Sequence, residues 1–215
     1  MLSYRHGFHA GNHADVLKHW VEVLCIEYLK RKEKPFVYID THAGAGAYSL
    51  VGPFAMKTGE AETGIGRLWP KRAQLPDTLK SYLQVVADYN GQKLKSYPGS
   101  PLFASTLLRA DDKLRLIEMH GAELEWLKKS AAADSRIKVF EADGFQQLKA
   151  LLPPESRRGL VLIDPPYELK SDYQKVIQCL NEGLDRFATG LFIVWYPLIN
   201  SVWAQRYSEQ LRKLP

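Results

Sequence analysis

Asp164, Pro165, Pro166 and Tyr167 follow directly on GLVLI, an apolar run typical of a buried strand. The two prolines fix φ and lack an N–H, so they would hold a rigid turn. The Asp164 carboxylate and the Pro165 carbonyl could then point outward as two hydrogen-bond acceptors. Two acceptors suit the exocyclic amino group of a base, and Tyr167 could stack on the same base. The alternative is that these residues form only a rigid strand-to-loop corner.

A glycine pair follows the first predicted strand. Asp40 ends that strand, and Gly44 and Gly46 come next in the segment DTHAGAGAY. This G-x-G spacing lets the backbone approach a ligand closely, although an ordinary tight turn has the same pattern. Because the third glycine of the dinucleotide fingerprint and the Walker lysine are both missing, NAD and ATP are disfavoured as ligands.

Acids follow the next two predicted strands. Glu118 ends one of them and could accept hydrogen bonds from both hydroxyls of a ribose. Asp143, followed by Gly144, could accept from an adenine amino group. A solvated strand end and an Asp-Gly turn are the ordinary explanations. Because the carboxyl ends of parallel strands share one edge of a sheet, the coincidence of these residues favours a ligand site there.

The N-terminal region is rich in histidine. It contains four of the six histidines: His6, His9, His13 and His19. Glycines interrupt any continuous helix there, and no cysteine or acid cluster completes a ligand set, so we expect no metal site. We interpret the segment as a loop that covers the site and contacts a nucleic acid. Tyr4 and Arg5 could stack on and clamp a nucleotide, and Lys18 could contact a phosphate. A frayed tail is the alternative for residues 1–5.

The order of elements predicts a doubly wound α/β fold. Five apolar runs are typical of strands, at residues 35–40, 113–118, 136–142, 159–164 and 190–196. Most are continuous rather than alternating, as expected for parallel strands covered on both faces. Helical patterns lie between most of them.

Two helices have recognisable start signals. Residues 13–32 carry Leu17, Trp20 or Val21, Leu24 and Tyr28 on one predicted apolar stripe, with Asn12 as N-cap. Residues 100–109 offer Ser100 as N-cap, followed by a proline at the first helical position.

The first crossover is far longer than the roughly 30 residues that a βαβ unit needs. Residues 52–98 therefore form a predicted helical insertion, in which Leu79, Leu83, Val86 and Tyr89 make a helical stripe. We expect this insertion to pack on a main domain made of residues 1–51 and 99–215.

The composition is that of an ordinary globular protein, with 46% hydrophobic residues and a net charge of +5. The excess of positive charge favours a polyanionic partner such as a nucleic acid. We predict no membrane span and no secretory signal, and we predict that the two cysteines, Cys25 and Cys179, are free thiols in the cytoplasm.

The motifs together resemble those of a known family. The resemblance lies in MLSYRHGFHAGNHADVLKH, DTHAGAGAY, YPGSP, EADGFQQLKA and RRGLVLIDPPYE, and it extends over essentially the whole chain. The chain is similar to the RlmJ family of S-adenosylmethionine-dependent class I methyltransferases, which make N6-methyladenine in 23S ribosomal RNA. That family adds further strands to complete a seven-stranded sheet, and we expect those C-terminal strands to be missing here.

The resemblance implies a Rossmann-like fold and a set of site residues. The implied cofactor contacts are His19, His42, Ser100, Glu118, Asp143, Gly144 and Asp164. The implied catalytic residue is Asp164, and the implied substrate contacts are Tyr4, Lys18, Pro165 and Tyr167. The implied protein is a cytoplasmic monomer that acts on 23S ribosomal RNA.

Three other functions share part of this pattern. A DNA adenine-N6 methyltransferase would use the same DPPY chemistry, with residues 52–98 as a small target-recognition region. A guanine-N2 methyltransferase would also act on an exocyclic amine. A non-enzymatic RNA-binding protein could retain the fold without the reaction.

Overall fold

The computed structural model describes residues 5–198 and 201–214. Its centre is a parallel sheet whose five strands lie within one or two residues of the predicted runs. These strands are β1 (Val37–Asp40), β4 (Lys113–Glu118), β5 (Ile137–Glu141), β6 (Gly159–Ile163) and β7 (Leu191–Val194). They are arranged in the order β5-β4-β1-β6-β7. All four pairings are parallel, which confirms the predicted α/β class with a mostly parallel sheet.

Helices cover both faces of this sheet, and three further helices belong to the interval 52–98. In chain order the helices of the described residues are α1 (His13–Lys30), α2 (Pro53–Thr58), α3 (Ile65–Leu68), α4 (Lys80–Asn90), α5 (Ser100–Leu107), α6 (Gly121–Ala131), α7 (Gly144–Leu151), α8 (Lys170–Arg186) and α9 (Ser201–Leu211), of which α2, α3 and α4 lie in that interval. Short 3-10 turns lie at His6–Phe8, Glu60–Thr63, Trp69–Gln74 and Asp77–Leu79. No described helix has the length and apolar character needed to cross a membrane.

Successive side chains of the central strands alternate between two cores. Tyr38 and Leu162 belong to the core on the α1 and α5 face, whereas Ile39 and Ile163 belong to the core on the α8 face. This alternation follows from the two-residue period of a strand. The parallel pairings place the carboxyl ends of β1, β4, β5 and β6 at one edge of the sheet.

The predicted apolar stripe of α1 is wrong. Leu17, Leu24 and Tyr28 are 49%, 41% and 61% exposed. The buried face instead begins with Asp15, Lys18, His19 and Glu22 and continues with apolar residues toward the end of the helix. Polar groups tolerate this burial when they bond one another, and Lys18 Nζ lies 2.9 Å from Asp15 Oδ1.

Most of the interval 52–98 folds as helices and turns, as predicted, and it packs on α1 and α5. Their shared core includes Ile65, Tyr82, Val86 and Phe103. Tyr89, predicted to lie on the buried stripe of α4, is 48% exposed. An antiparallel ribbon of β2 (Ala47–Ser49) and β3 (Ser96–Pro98), which the sequence analysis missed, joins the two ends of this interval. The proposed domain boundaries stay a prediction.

The helix starts agree with prediction at α1 but not at α5. The Asn12 side chain accepts a hydrogen bond from the Asp15 amide, which confirms Asn12 as the N-cap. At α5 the N-cap is Gly99, and Ser100 is the first helical residue. Ser100 is already inside the helix, and its hydroxyl donates to Asp40 Oδ2 at 2.6 Å.

Candidate functional site

A cavity of about 280 Å³ lies at the carboxyl ends of β1, β4, β5 and β6. The strand order turns back at β1, and ligands of open α/β sheets bind at such a switch point. Most of the site residues inferred from the sequence line this cavity. They are Lys18, His19, His42, Ser100, Glu118, Asp143, Gly144, Asp164 and Pro165.

The loop after β1 is held against the end of β4. Gly44 and Gly46 have φ of +63° and +84°, which favours glycine, and the Gly44 amide donates to Glu118 Oε2 at 2.8 Å. The other oxygen of Glu118 accepts from the His120 amide at 2.6 Å. Burial raises the pKa of Glu118, although these amide bonds oppose the rise. Each carboxylate oxygen can accept a second hydrogen bond, so Glu118 can hold the loop and a ligand hydroxyl together.

The loop after β5 also touches the loop after β1. Asp143 is the N-cap of α7, where its Oδ1 accepts from the Phe145 amide at 2.8 Å and the Gln146 amide at 3.2 Å. A Cβ added to Gly144 would lie only 1.9 Å from the Thr41 carbonyl oxygen. The Asp-Gly pair therefore begins a helix and allows close approach of two loops. The adenine contact of Asp143 stays a prediction.

Asp164 belongs to a chain of charged groups that ends at the N-terminal segment. Lys18 Nζ donates to Asp164 Oδ2 at 2.7 Å and also contacts Asp15, whose Oδ2 lies 2.9 Å from His6 Nε2. The Lys18 side chain is only 6% exposed. Burial alone would lower the pKa of Lys18, but Asp15 and Asp164 raise it well above its usual range. Lys18 therefore carries a fixed positive charge beside the predicted catalytic carboxylate.

A second polar group lies beneath the cavity and was not identified from the sequence. Asp40 is fully buried and accepts from the Ser100 hydroxyl and, at 3.2 Å, from the His42 amide. Burial raises the pKa of Asp40 to about 6. Burial and the nearby Asp40 also raise the pKa of Glu22 well above its usual range. Residues 15, 18, 19 and 22 are polar and share one face of a helix, and this was the sequence signal for a polar face on α1.

Two cavity histidines are neutral. Burial and the charge of Lys18 lower the pKa of His19 well below its usual range. Burial lowers the pKa of His42 to about 4. The His19 Nδ1 atom lies 2.9 Å from the Tyr97 hydroxyl, and His42 Nδ1 lies 2.8 Å from Thr41 Oγ1. Both rings therefore act at neutral pH as polar groups without charge.

Two predicted substrate contacts are not placed at the cavity. Tyr167 has φ of +52° and donates its hydroxyl to the Trp195 carbonyl at 2.6 Å. Its ring packs 4.5 Å from that of Tyr173, and it is not among the described residues that line the cavity. Stacking on a base would require this side chain to leave its packed position. Tyr4 lies outside the described residues.

The N-terminal histidines point to different partners. His9 Nδ1 lies 3.0 Å from the Glu60 carboxylate, whereas His6 and His19 contact Asp15 and Tyr97. Across residues 5–198 and 201–214, no group of three or more His, Cys, Asp or Glu is arranged to hold a metal ion.

Two relatives of this chain have the same name. The chain is 56% identical over 200 residues to Ribosomal RNA large subunit methyltransferase J of Escherichia coli (strain K12). It is 51% identical over 201 residues to the protein of the same name from Haemophilus influenzae (strain ATCC 51907 / DSM 11121 / KW20 / Rd). Each comparison covers 93% of this chain and 71% of the relative.

The structure is also similar to a crystal structure of a protein from Legionella pneumophila str. Philadelphia 1. The TM-score is 0.91 with 38% identity, and the match covers 96% of this chain and 76% of that one. A family model described as Ribosomal RNA large subunit methyltransferase D, RlmJ, matches residues 33–214. On these similarities, the chain belongs to the RlmJ family of ribosomal RNA large subunit methyltransferases.

Proposed function

We propose that this protein transfers a methyl group from S-adenosylmethionine to the N6 amino group of an adenine in 23S ribosomal RNA. The observation that carries the proposal is the position of Asp164 and Pro165 on the wall of a cavity that Glu118 and Asp143 also line. An acceptor pair for an amine thus faces the same space as acceptors for a nucleoside. The names of the relatives support a large-subunit ribosomal RNA substrate.

The lining of the cavity fits a cationic nucleoside cofactor. Within the part of the chain that the structure describes, His120 Nδ1 and Glu123 Oε2 are buried without a hydrogen-bond partner, and both residues line the cavity. Buried polar atoms without partners are rare and often mark a ligand position. The carboxylates of Glu118 and Glu123 suit a ligand with ribose hydroxyls and positive charge.

Each end of the cavity would hold a different part of S-adenosylmethionine. Glu118 would accept from the ribose, Asp143 from the adenine amino group, and His19, His42 and Ser100 would surround the methionine part. The cofactor supplies an electrophilic methyl group. Because Gly144 has no side chain and lies close to Thr41, the floor of the cavity there is formed by backbone.

The target amine would be held by two acceptors of this chain. The nitrogen lone pair of an exocyclic amine is delocalised into the base ring, which makes the amine a poor nucleophile. Hydrogen bonds from its two hydrogens to Asp164 and to the Pro165 carbonyl would favour a pyramidal nitrogen in the transition state. Asp164 need not remove a proton first, because the nitrogen becomes acidic once it is methylated.

The proposal is tested by substitution of Asp164. We expect Asp164→Ala to lower the rate of methyl transfer by more than ~100-fold, the scale of losing one preorganised transition-state partner. Asp164→Asn keeps one acceptor oxygen but loses the charge, and we expect a comparable loss. Cofactor affinity should change much less, because Glu118 and Asp143 remain. The measurement is single-turnover transfer of labelled methyl to RNA, with calorimetry for cofactor binding.

Asp185→Asn is the matched control, since Asp185 is an exposed carboxylate on α8. Near-full activity of Asp164→Ala would exclude the amine-holding role, and Asp164 would then be only part of a rigid corner. Near-full activity of Asp164→Asn alone would show that acceptance of hydrogen bonds suffices without the charge.

The competing functions are separated by the choice of substrate. Labelled cofactor supplied with RNA and with DNA in parallel distinguishes an RNA enzyme from a DNA enzyme, and binding without transfer would indicate a non-enzymatic RNA-binding protein. Analysis of the methylated nucleoside distinguishes N6-methyladenine from N2-methylguanine. A cytoplasmic location and a monomeric state stay part of the proposal.

A further inference from the structure

A chain of hydrogen bonds runs from the cavity into the interval 52–98. His19 Nδ1 lies 2.9 Å from the Tyr97 hydroxyl, which lies 3.1 Å from the Tyr82 hydroxyl. The two tyrosines are fully buried, and His19 is 1% exposed. Tyr82 is on α4 and Tyr97 is on β3, so the interval that follows the first strand reaches a residue of the cavity wall.

The three rings are held in place by a fourth. Phe103 stacks on His19 with ring centroids 5.0 Å apart and on Tyr82 with centroids 5.2 Å apart. Phe103 is itself fully buried at the centre of the core of this interval. This packing restrains the plane of the imidazole, and the contact with the Tyr97 hydroxyl identifies Nδ1 as the nitrogen that faces the insertion. Nε2 is the ring nitrogen that this contact does not use, and His19 lines the cavity.

Counting donors and acceptors shows which group donates each hydrogen bond of this chain. Neutral imidazole has one N–H and one bare nitrogen, and each tyrosine has one O–H. Among the described residues, the Tyr82 hydroxyl has Tyr97 as its hydrogen-bond partner. If Tyr97 donated to Tyr82, the buried Tyr82 proton would have no acceptor, which costs about 1–3 kcal/mol. If Tyr82 donates to Tyr97 and Tyr97 donates to Nδ1, both tyrosine protons have acceptors and the imidazole proton is on Nε2.

We propose that Tyr97 and Tyr82 are positioning residues that fix His19 in the tautomer with hydrogen on Nε2, so that His19 donates a hydrogen bond to the carboxylate of the cofactor's amino-acid part. This inference rests on the proposed function for the identity of the ligand. It goes beyond that function by giving the insertion a role in cofactor recognition. The donor is uncharged, because burial and Lys18 keep the pKa of His19 low.

The tautomer is measured directly by nitrogen NMR of the imidazole in the ligand-free protein. We expect the wild-type His19 to show a protonated Nε2 and an unprotonated, hydrogen-bonded Nδ1. In Tyr97→Phe the Nδ1 atom loses its donor, and we expect its resonance to shift. In Tyr82→Phe the Tyr97 hydroxyl still donates to Nδ1, so the wild-type tautomer should persist. A protonated Nδ1 in the wild-type protein would overturn the proposal.

Binding of two nucleosides tests the consequence for recognition. S-adenosylhomocysteine has the amino-acid part, whereas 5′-methylthioadenosine lacks it. We expect Tyr97→Phe to weaken S-adenosylhomocysteine about tenfold, as for loss of a hydrogen bond to a charged group, and to leave 5′-methylthioadenosine within about twofold. Equal effects on both ligands, or no effect on either, would contradict the proposed role.

Tyr89→Phe is the matched control, because Tyr89 is on the same helix as Tyr82 and is 48% exposed. It should leave the His19 resonances and both affinities unchanged. If the wild-type protein binds neither nucleoside, the proposed function fails, while the NMR measurement still decides the direction of the hydrogen-bond chain.

Discussion

His42 is the clearest case of a single residue whose burial links the site to stability. Burial lowers its pKa to about 4, compared with about 6.5 in an unfolded chain. Between these values the unfolded state binds a proton that the folded state does not. The contribution of neutral His42 to the free energy of unfolding is therefore fully present above pH 6.5 and is lost as the pH falls toward 4.

This linkage predicts a difference between wild-type protein and His42→Gln. From pH 7 to pH 5 the wild type should lose about 1–2 kcal/mol more of its free energy of unfolding than the variant does. The measurement is urea unfolding of the ligand-free proteins at both pH values. Asp40 has the opposite effect, because its raised pKa of about 6 means that stability is lost as the pH rises toward that value. Both proteins contain Asp40, so its effect cancels when the two pH profiles are compared. Parallel pH profiles would show that His42 does not titrate as proposed.

At the residue scale, the sequence predicted the acids at the strand ends but not the polar face of α1. Asp164, Glu118 and Asp143 follow recognisable strands, and parallel strands bring their carboxyl ends to one edge. Asp15 and Glu22 were not predicted because polar residues on a helix are normally assigned to the solvent side. Their burial depends on long-range partners such as Asp164 and Asp40, which helical periodicity does not reveal.

At the element scale, the contact between the loops after β1 and β5 requires a glycine at residue 144. A Cβ at Gly144 would lie 1.9 Å from the Thr41 carbonyl oxygen, closer than any real contact. The Gly144→Ala substitution must therefore separate the end of β1 from the start of α7. We expect it to destabilise the fold by about 2–4 kcal/mol and to weaken binding of S-adenosylhomocysteine, measured by thermal unfolding and calorimetry.

Gly121→Ala is the control for this substitution. Gly121 also begins a helix, α6, but a Cβ there would meet nothing within 4 Å. It should be neutral or slightly stabilising, because alanine favours a helix more than glycine does. If both substitutions have the same effect, the close approach of the loops is not what makes glycine necessary at residue 144.

Helices and strands were predicted correctly where their sequence pattern is local, and incorrectly where they depend on contacts between distant residues. The five central strands were recognisable as short apolar runs, and Asn12 was recognisable as an N-cap. The β2–β3 ribbon was missed because its strands are three residues each and pair across the whole interval 52–98. Ser100 was misassigned as a cap because the helix starts one residue earlier, after Gly99, a shift of the kind that sequence patterns rarely resolve.

At the scale of the whole molecule, two opposite distributions of charge are combined. The chain carries a net charge of +5, yet acids outnumber lysines in the cavity wall. The acids are Glu118, Glu123, Asp143, Asp164 and Asp172, and the lysines are Lys18 and Lys175. The excess of lysine and arginine must therefore lie elsewhere. This separation suits a small cationic cofactor in the cavity and a polyanion on the surrounding surface.

The charge distribution predicts that the two ligands respond differently to salt. RNA affinity should fall steeply between about 50 and 200 mM salt, through release of counterions from phosphates. Binding of S-adenosylhomocysteine, which carries no net charge, should change little over the same range. Fluorescence anisotropy measures the first and calorimetry the second. An RNA affinity independent of salt would contradict the interpretation of the net charge.

The position of Lys18 has a consequence for the enzyme's own integrity. Its amino nitrogen lies 2.7 Å from Oδ2 of Asp164, the residue proposed to hold the target amine. A neutral lysine there would be a better nucleophile than adenine and could be methylated in its place. Asp15 and Asp164 keep the nitrogen protonated despite burial, and a protonated nitrogen has no lone pair to attack with.

We therefore expect the buried ion pairs to prevent methylation of Lys18. Asp15→Asn removes one of the two charges that hold the proton on Lys18, and we expect this variant to acquire methyl groups at Lys18 on incubation with cofactor at alkaline pH. Mass spectrometry of peptides that contain Lys18 detects the change, and the wild-type protein should stay unmodified under the same conditions. Methylated Lys18 in the wild type would mean that its charge gives no such protection.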